Sequence, residues 1–481
     1  MALDPSAYIG ALQQNIRQRP LSWEGAVRAK TITDADLKKI KGVDKVRKEQ
    51  RKQALDADTK GYVALFLGDG DAPSIFQAAS QRPELVQYLL VLAGDLIEDN
   101  PDFVSALIKH PNPYQHLLPL LKPTNPDDTK PQILILTSAL LSKLLSAAVL
   151  ASDNPSPNVE DALTQLYLYL AGLAKSSDAE LKDIAVQEFS AVLRTKFSRA
   201  LFWKLRKDTV APLFEILRAA AGANSKDSDS TLWSGEGSVR SVPESGLAGG
   251  VGIQLLYHVL LVLWQLSFEG TAVGDGLQDE HDILILYVHL LRISPKEKAT
   301  RLLLSTLVNL LSTNRNTLLP TAVLARLPAA LQIVSSRHHS DPDLLEDLTA
   351  LTEMIDEYTK TQTTFDEYAA EVRSGHLRWS PPHRSATFWS ENARRIIEEN
   401  NGELPRKLAE ILGKPWDTDK QVLAIGCNDI ACLVKEVPEK RPVLERLGLK
   451  ARVMELMVEP DETVRWESLR AVGEWLRYSF E

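Results

Sequence analysis

A chain of 481 residues is long enough for two or more domains or for one extended repeat array, and its 44% hydrophobic content is that of a protein with an ordinary packed core. The formal net charge of −9 excludes the broad basic field that non-specific binding to nucleic acid or an anionic membrane needs. The two cysteines, Cys427 and Cys432, stand on an expected helix at a spacing that suits neither zinc nor a redox pair, so both read as reduced packing thiols of a cytosolic protein.

The N-terminal residues lack the basic and long apolar regions of a signal peptide. Further on, Leu37, Ile40, Val43 and Val46 recur at intervals of three among Lys38, Lys39, Lys41, Lys45, Arg47, Lys48, Arg51 and Lys52, which predicts an amphipathic helix with a solvated basic face. Gly68, Asp69, Gly70 and Asp71 lack the lysine and hydroxyl of a phosphate-binding loop, and their acids would repel phosphate. The most apolar stretches, 133–150 and 251–268, carry Lys143 and several hydroxyls in one, and Gln254, His258 and Gln265 in the other. Both are expected to be buried core helices and not membrane spans.

Leu-rich helical stretches recur throughout, punctuated by Pro, Gly, Asn or Asp, and strand-like alternation is nearly absent. Two segments look like variants of one unit, each opening on an acidic cap. The first, 177–194, places Leu181, Ile184, Ala185, Phe189, Val192 and Leu193 near helical spacing; the second, 460–477, offers Val464, Leu469, Val472, Trp475 and Leu476. Helix pairs of about forty residues are the signature of HEAT and armadillo arrays, in which each unit buries its apolar face only by stacking on its neighbours. The expected fold class is therefore all-α, a HEAT/armadillo-like helical-repeat superhelix in two domains, 1–358 and 359–481, joined by a short elbow. Residues 223–250, rich in Ser, Gly and Asp, read as a mobile surface loop, and 123–131 and 152–157 as shorter turns.

The elbow, 365–392, is the most informative segment. Thr364 and Glu367 have capping-box spacing, Phe365, Tyr368, Ala369 and Val372 line one face, and Gly375 is a natural stop. Leu377 and Trp379 then alternate with polar neighbours, and Pro381 and Pro382 bar a continuing helix, so the connector is expected to be extended. Helix resumes after Ser385 with Phe388, Trp389, Ala393, Ile396 and Ile397, and ends at Asn400, Asn401 and Gly402. A joint so rich in Trp and Pro is a fixed elbow and not a floppy tether.

This elbow resembles that of the H-subunit family of the vacuolar-type proton ATPase (V-ATPase). Three other blocks are similar to the same family: Asn15, Ile16, Arg17 and Arg19 followed by Trp23, Glu24, Ile32 and Thr33; the run Ser294, Pro295, Lys296, Glu297, Lys298, Ala299, Thr300 and Arg301; and Asn428, Asp429 and Ile430 with Gly448, Val453, Met454, Val464 and Arg465. The resemblance implies a non-catalytic regulatory component, needed for coupled ATP-driven proton transport and able to inhibit ATP hydrolysis by the detached catalytic sector. It implies docking of the N-terminal array on the peripheral stalk, made of the E and G subunits, where the basic run from Lys38 would fit an acidic coiled coil. The C-terminal domain would meet the cytosolic domain of the pump's a-subunit in the assembled state, and the rotor and a catalytic-sector component in the inhibited state. The implied location is the cytosolic face of vacuolar and other endomembranes, or the cytosol once the sector is released.

No enzymatic constellation competes with that reading. The glycine-rich run 246–252 follows no strand, His338 and His339 point to different helix faces, and there is no serine elbow, HExxH or paired-Cys motif. No cofactor, metal or nucleic acid is expected. The loop Lys414, Pro415, Trp416 and Asp417 is the expected partner contact, because Trp in a short loop is a typical interface anchor; alternatively Trp416 folds back as a hydrophobic staple before a cap at Asp417 or Thr418. A cargo adaptor or assembly scaffold is the rival function, although no Trp is followed four residues later by the Asn of an armadillo carrier ladder.

Overall fold

The computed structural model describes residues 6–69, 72–122, 132–152, 154–222, 251–294, 296–417 and 419–477. The expected loop 223–250 and the turn 123–131 lie outside the described residues, as do Gly70, Asp71, Asp153, Pro295 and Thr418. Among the described residues the fold is all-α, a helical-repeat architecture whose sole extended pairing is an isolated bridge between Asp69 and Ala72. The chain falls into two compact units, one of Met1–Ile216 with Ile253–Glu269 and the other of Leu217–Gly252 with Gly270–Glu481.

In the first unit, the helices Pro83–Asp99, Gln132–Ala151, Pro157–Ala174, Ala179–Val192 and Ile253–Ser267 pack in overlapping succession. Gln132–Ala151 is long and apolar enough to cross a membrane by length and composition alone, yet most of it is buried inside the unit. Its hydroxyls have a partner there: Ser138 and Ser142 donate to the carboxyl of Glu188 at 3.1 and 2.9 Å. In Ile253–Ser267, buried His258 lies 2.5 Å from Asp183. Both polar insertions in these apolar stretches are thus internal hydrogen-bonding groups.

The basic run near the N-terminus does not form one helix. Asp34–Val43 starts with a capping box at Thr33 and ends where Lys45 takes a positive φ of 55°; a second helix, Lys48–Ala57, follows. Lys48 and Arg51 both bind Asp99, at 2.9 and 2.8 Å, so part of the expected solvated face is tied down by ion pairs.

The second unit opens with Gly270–His281, Ile283–Ile293, Glu297–Thr313, Arg315–Leu324, Leu327–Ser335 and Pro342–Thr361. The block from Lys296 to Arg301 clamps two of these helices together. Glu297 accepts from the Asp341 amide at 2.9 Å, and Arg301 binds Asp341 at 3.1 Å and also Asp343, which secures the start of Pro342–Thr361. The rest of the unit surrounds Lys420–Glu436, in which 12 of 17 residues are buried. Ala386–Glu398, Glu403–Gly413 and the last helix, Glu462–Arg477, pack around it. Each buried large side chain contributes about 1.5–3 kcal/mol, so this central helix is the main hydrophobic anchor of the region. Gly426 permits the close approach of Glu403–Gly413, since a Cβ there would stand 2.9 Å from Leu412. Cys427 and Cys432 are free thiols on the same helix, each with its pKa pushed up to about 12 by burial.

The two segments expected to share a repeat pattern differ at their outer faces. In 177–194 all six named apolar residues are buried or half-buried. In 460–477, Leu469 and Leu476 remain 49% and 51% exposed.

Candidate functional site: the elbow and its neighbouring loop

The first elbow helix is Thr364–Ser374, capped one residue earlier than its sequence suggests. Thr363, not Thr364, is the N-cap, and Asp366, not Glu367, returns its carboxylate to the Thr363 amide at 3.0 Å. The shift turns Phe365, Tyr368, Ala369 and Val372 into the core together with Glu371, and Gly375 ends the helix at a φ of 78° that a side chain would resist. The connector is not wholly extended either. Pro381–Arg384 forms one helical turn with both prolines at its start, where a missing amide N–H removes nothing from the helix. Ser385 then caps Ala386–Glu398 by accepting from the Phe388 amide at 3.1 Å.

The elbow closes around buried charge. His383 has no exposed side-chain surface; its Nδ1 lies 2.7 Å from Asp429 Oδ1, and its Nε2 lies 3.5 Å from Glu371 Oε1. Burial alone would lower the affinity of His383 for its second proton. The charge and hydrogen bond of Asp429, joined by Glu371, outweigh it and push the pKa up to about 10. Glu371 also accepts from the Arg378 amide and, at 2.7 Å, from the Ser380 hydroxyl. The His383 carbonyl accepts from Asn428 Nδ2 at 3.0 Å and from the Trp389 indole at 3.3 Å. One imidazolium thus joins the elbow helix, the proline turn and the central helix.

Aromatic rings pack over this network. Tyr368 meets Phe388 and Trp389, each at 5.3 Å between centroids, and Phe388 meets Trp389 edge-on at 5.4 Å. Trp379 is half-buried under the Arg384 guanidinium, 5.0 Å from the ring centroid. Arg373 forms a bidentate pair with Glu403 at 2.9 and 3.1 Å. Arg378 reaches backward, donating to the Leu324 carbonyl at 2.8 Å; burial and the nearby Arg326 lower its pKa to about 10.

Beside the elbow lies an open cleft of about 1180 Å³. Asp275, Asp279 and Asp282 line it on Gly270–His281 and just beyond, and Lys407, Lys414 and Trp416 line it from Glu403–Gly413 and the loop that follows. Burial, with Asp275 and Asp282, raises the Asp279 pKa, and Lys407 acts in the opposite direction. His376 sits between Asp282, at 3.6 Å, and the edge of Trp416, at 6.2 Å between ring centroids.

In the loop, Lys414, Pro415 and Asp417 are exposed and Trp416 is half-buried. The Trp416 indole donates to the Ile411 carbonyl at 2.7 Å, although its backbone holds a positive φ of 46°. Trp416 folds back onto the preceding helix, and the N-cap of the next one is Asp419, whose side chain makes no cap hydrogen bond. Trp416 is thus tethered by its indole, while the helix cap falls at Asp419 and not at Asp417; Thr418, the other expected cap position, lies outside the described residues. Lys414 stands 5.6 Å over the Trp416 ring, and Lys420 donates to the Pro415 carbonyl at 3.0 Å. The tethered aromatic thus lies between an exposed cation, Lys414, and an exposed carboxylate, Asp417.

Glu371, His383 and Asp429 are all buried. Glu371 and Asp429 face opposite nitrogens of His383, so the three cannot converge on one ion, and no metal-binding cluster occurs among the described residues. Sequence reasoning placed the elbow aromatics together but missed Glu371 and Asp429 as partners of His383. The available signal was an acid on an apolar helix face in each case.

Two family models, both described as the H subunit of the V-ATPase, match the chain, one over residues 7–355 and the other over residues 361–480. The chain belongs to the V-ATPase H-subunit family. The H subunit of the V-type proton ATPase of Drosophila melanogaster is 27% identical over 100% of this chain and 92% of its own. A probable V-type proton ATPase H subunit of Oryza sativa subsp. japonica is 26% identical over 95% of each. The V-type proton ATPase H subunit of Dictyostelium discoideum is 26% identical over 100% of this chain and 98% of its own. The sequence blocks that resemble this family fall at structural joints. Arg17 pairs with Asp95 at 2.5 Å, Trp23 packs edge-on against Tyr88, Arg301 clamps two helices, and Asp429 holds the elbow.

Proposed function

We propose that this chain is a non-catalytic regulatory subunit of a V-type proton-transporting ATPase, required for coupled proton transport in the assembled pump and inhibitory to ATP hydrolysis by the detached catalytic sector. The observation that carries the proposal is the match of both family models across nearly the whole chain. In this reading residues 1–358 dock on the peripheral stalk of E and G subunits. Residues 359–481 contact the cytosolic domain of the a-subunit in the assembled pump, and the rotor and a catalytic-sector component after release. The protein is then a peripheral component on the cytosolic face of endomembranes.

The elbow supports a rigid-body mechanism. From Thr363 onward the chain is fused into the core around Lys420–Glu436, and Pro342–Thr361 ends just before it. A rotation would be absorbed in residues 361–363, with release of the Arg378 bond to Leu324 and the His376 contact with Asp282. Two linked contact surfaces raise each other's effective concentration, so each is effective even when weak alone. The loop from Lys414 to Asp417 is the proposed contact of the inhibited state.

The test is reconstitution. Vesicles carrying a V-type pump stripped of this component should regain ATP-driven acidification when the full chain is added. Binding to the stripped pump with no recovery of acidification would refute the coupling role; no binding would refute the assignment to the pump itself.

A further inference from the structure

The last helix, Glu462–Arg477, buries Val464, Ser468, Ala471 and Trp475 on one side. Its opposite side carries Trp466, Leu469 and Leu476, exposed by 68%, 49% and 51%, with Gly473 among them. The order 466, 469, 473, 476 alternates steps of three and four, which is the apolar seam by which one helix packs along another. A Cβ at Gly473 would meet nothing within 4 Å, so a partner backbone has room to approach there. An apolar helix face left uncovered in this way invites association.

The flanks of the seam say what kind of helix fits. At 100° per residue, Arg465 falls on one flank, and Arg470 and Arg477 fall on the other. Arg470 pairs with Glu467 and Arg477 with Glu474, and in each pair the carboxylate is the sheltered member: side-chain exposures are 15% against 40%, and 21% against 63%. Arg465 donates to the neutral carbonyls of Glu459 and Pro460. One acid, Glu462, stands at the N-terminal end of the seam. Arg470, 40% exposed, also donates to the buried Asn428, so along the rest of the seam the cation that reaches furthest outward is Arg477, 63% exposed.

We propose that this face docks an amphipathic helix of another pump component, apolar along its own seam and acidic at the flanking positions. The inference rests on the pump reading above and adds the surface and the chemistry of its partner. Interhelical charge pairs at such flanks set partner choice and register more than affinity.

The experiment places a photoactivatable benzoylphenylalanine at Leu469 in the full chain. This chain is added separately to a purified V-type catalytic sector and to an assembled pump depleted of its own copy. Co-elution reports the pump reading on its own. The inference expects, in at least one of the two samples, an adduct to a helical segment of a different pump protein with acidic residues flanking its seam. It also expects the double variant Trp466→Glu, Leu469→Glu to weaken binding to that sample by about tenfold or more, with an unchanged melting temperature because both positions are exposed. Co-elution without an adduct in either sample, an adduct to a second copy of the chain, an adduct to a basic segment, or affinity of the double variant within about twofold of the parent would each overturn it. Absence of co-elution in both samples overturns the pump reading and this one with it.

Discussion

His383 Nδ1 stands 2.7 Å from Asp429 Oδ1 across 46 residues of sequence, and neither side chain reaches solvent. That contact fastens the proline turn to the central helix, and Glu371 extends it to the first elbow helix on the other side of the ring. Removing one partner of a buried ion pair leaves an uncompensated charge and costs about 3–5 kcal/mol. His383→Ala should therefore lower the unfolding free energy of the full chain by roughly that amount, with elbow amides losing hydrogen-exchange protection. A urea midpoint indistinguishable from the parent's would show that the network is incidental to the elbow.

The same contact gives a pH dependence of known sign. Folding raises the proton affinity of His383 from about 6.5 to about 10. Its contribution is complete below pH 6.5 and is lost as pH rises toward 10, at a slope of up to about 1.4 kcal/mol per pH unit. Because burial also raises the pKa of Asp429, the comparison removes both members of the pair: the parent should lose stability between about pH 7 and 10 more steeply than the double variant His383→Gln, Asp429→Asn. Parallel profiles would contradict a charged His383.

Glu188 works in the opposite direction from an ordinary carboxylate. Burial pushes it up to about 8, against the hydrogen bonds from Ser142 and Ser138. The folded chain then holds a proton that the unfolded chain releases, and stability falls as pH rises from about 4.5 toward 8. Glu188→Gln mimics the protonated form, so it should be more stable than the parent at about pH 7, by on the order of 3 kcal/mol. The two should converge below about pH 4.5, where both carry a neutral group. Destabilisation at neutral pH would mean that Glu188 is held ionised.

The backward reach of Arg378 to Leu324 is a direct bond from the elbow to the preceding helices. Arg378→Ala should cost about 1–3 kcal/mol and raise hydrogen exchange around residues 361–380. The central helix Lys420–Glu436 should stay protected. Equal loosening of that helix would argue against the elbow moving as one piece with the core behind it.

Trp416 and Lys414 separate packing from contact. Trp416→Ala removes a tethered, half-buried ring and should lower both stability and inhibition of the detached sector. Lys414→Ala, at an exposed position, should leave stability within about 0.5 kcal/mol and still weaken inhibition. Full inhibition by a folded Lys414→Ala, Asp417→Ala double variant would remove the loop from the contact.

Much of the elbow was legible because its punctuation is local: Ser385 caps, Gly375 stops, and the aromatic stripe has helical spacing. The capping box was off by one residue because Thr363 with Asp366 and Thr364 with Glu367 are two overlapping registers of one motif, and only packing chooses between them. The partners of His383 were not legible, since pairing across 46 residues leaves no local pattern. The break at Lys45 was hidden for a related reason: lysine gives no warning of a left-handed backbone. Periodicity revealed the apolar positions of the last helix but not which of them a neighbour covers.

The most direct measurement is MgATPase activity of a purified V-type catalytic sector lacking its own copy of this protein, titrated with the full chain. The account predicts saturable inhibition at a near-equimolar ratio, weakened by Lys414→Ala. Stable co-elution with unchanged hydrolysis at saturation would contradict the inhibitory role.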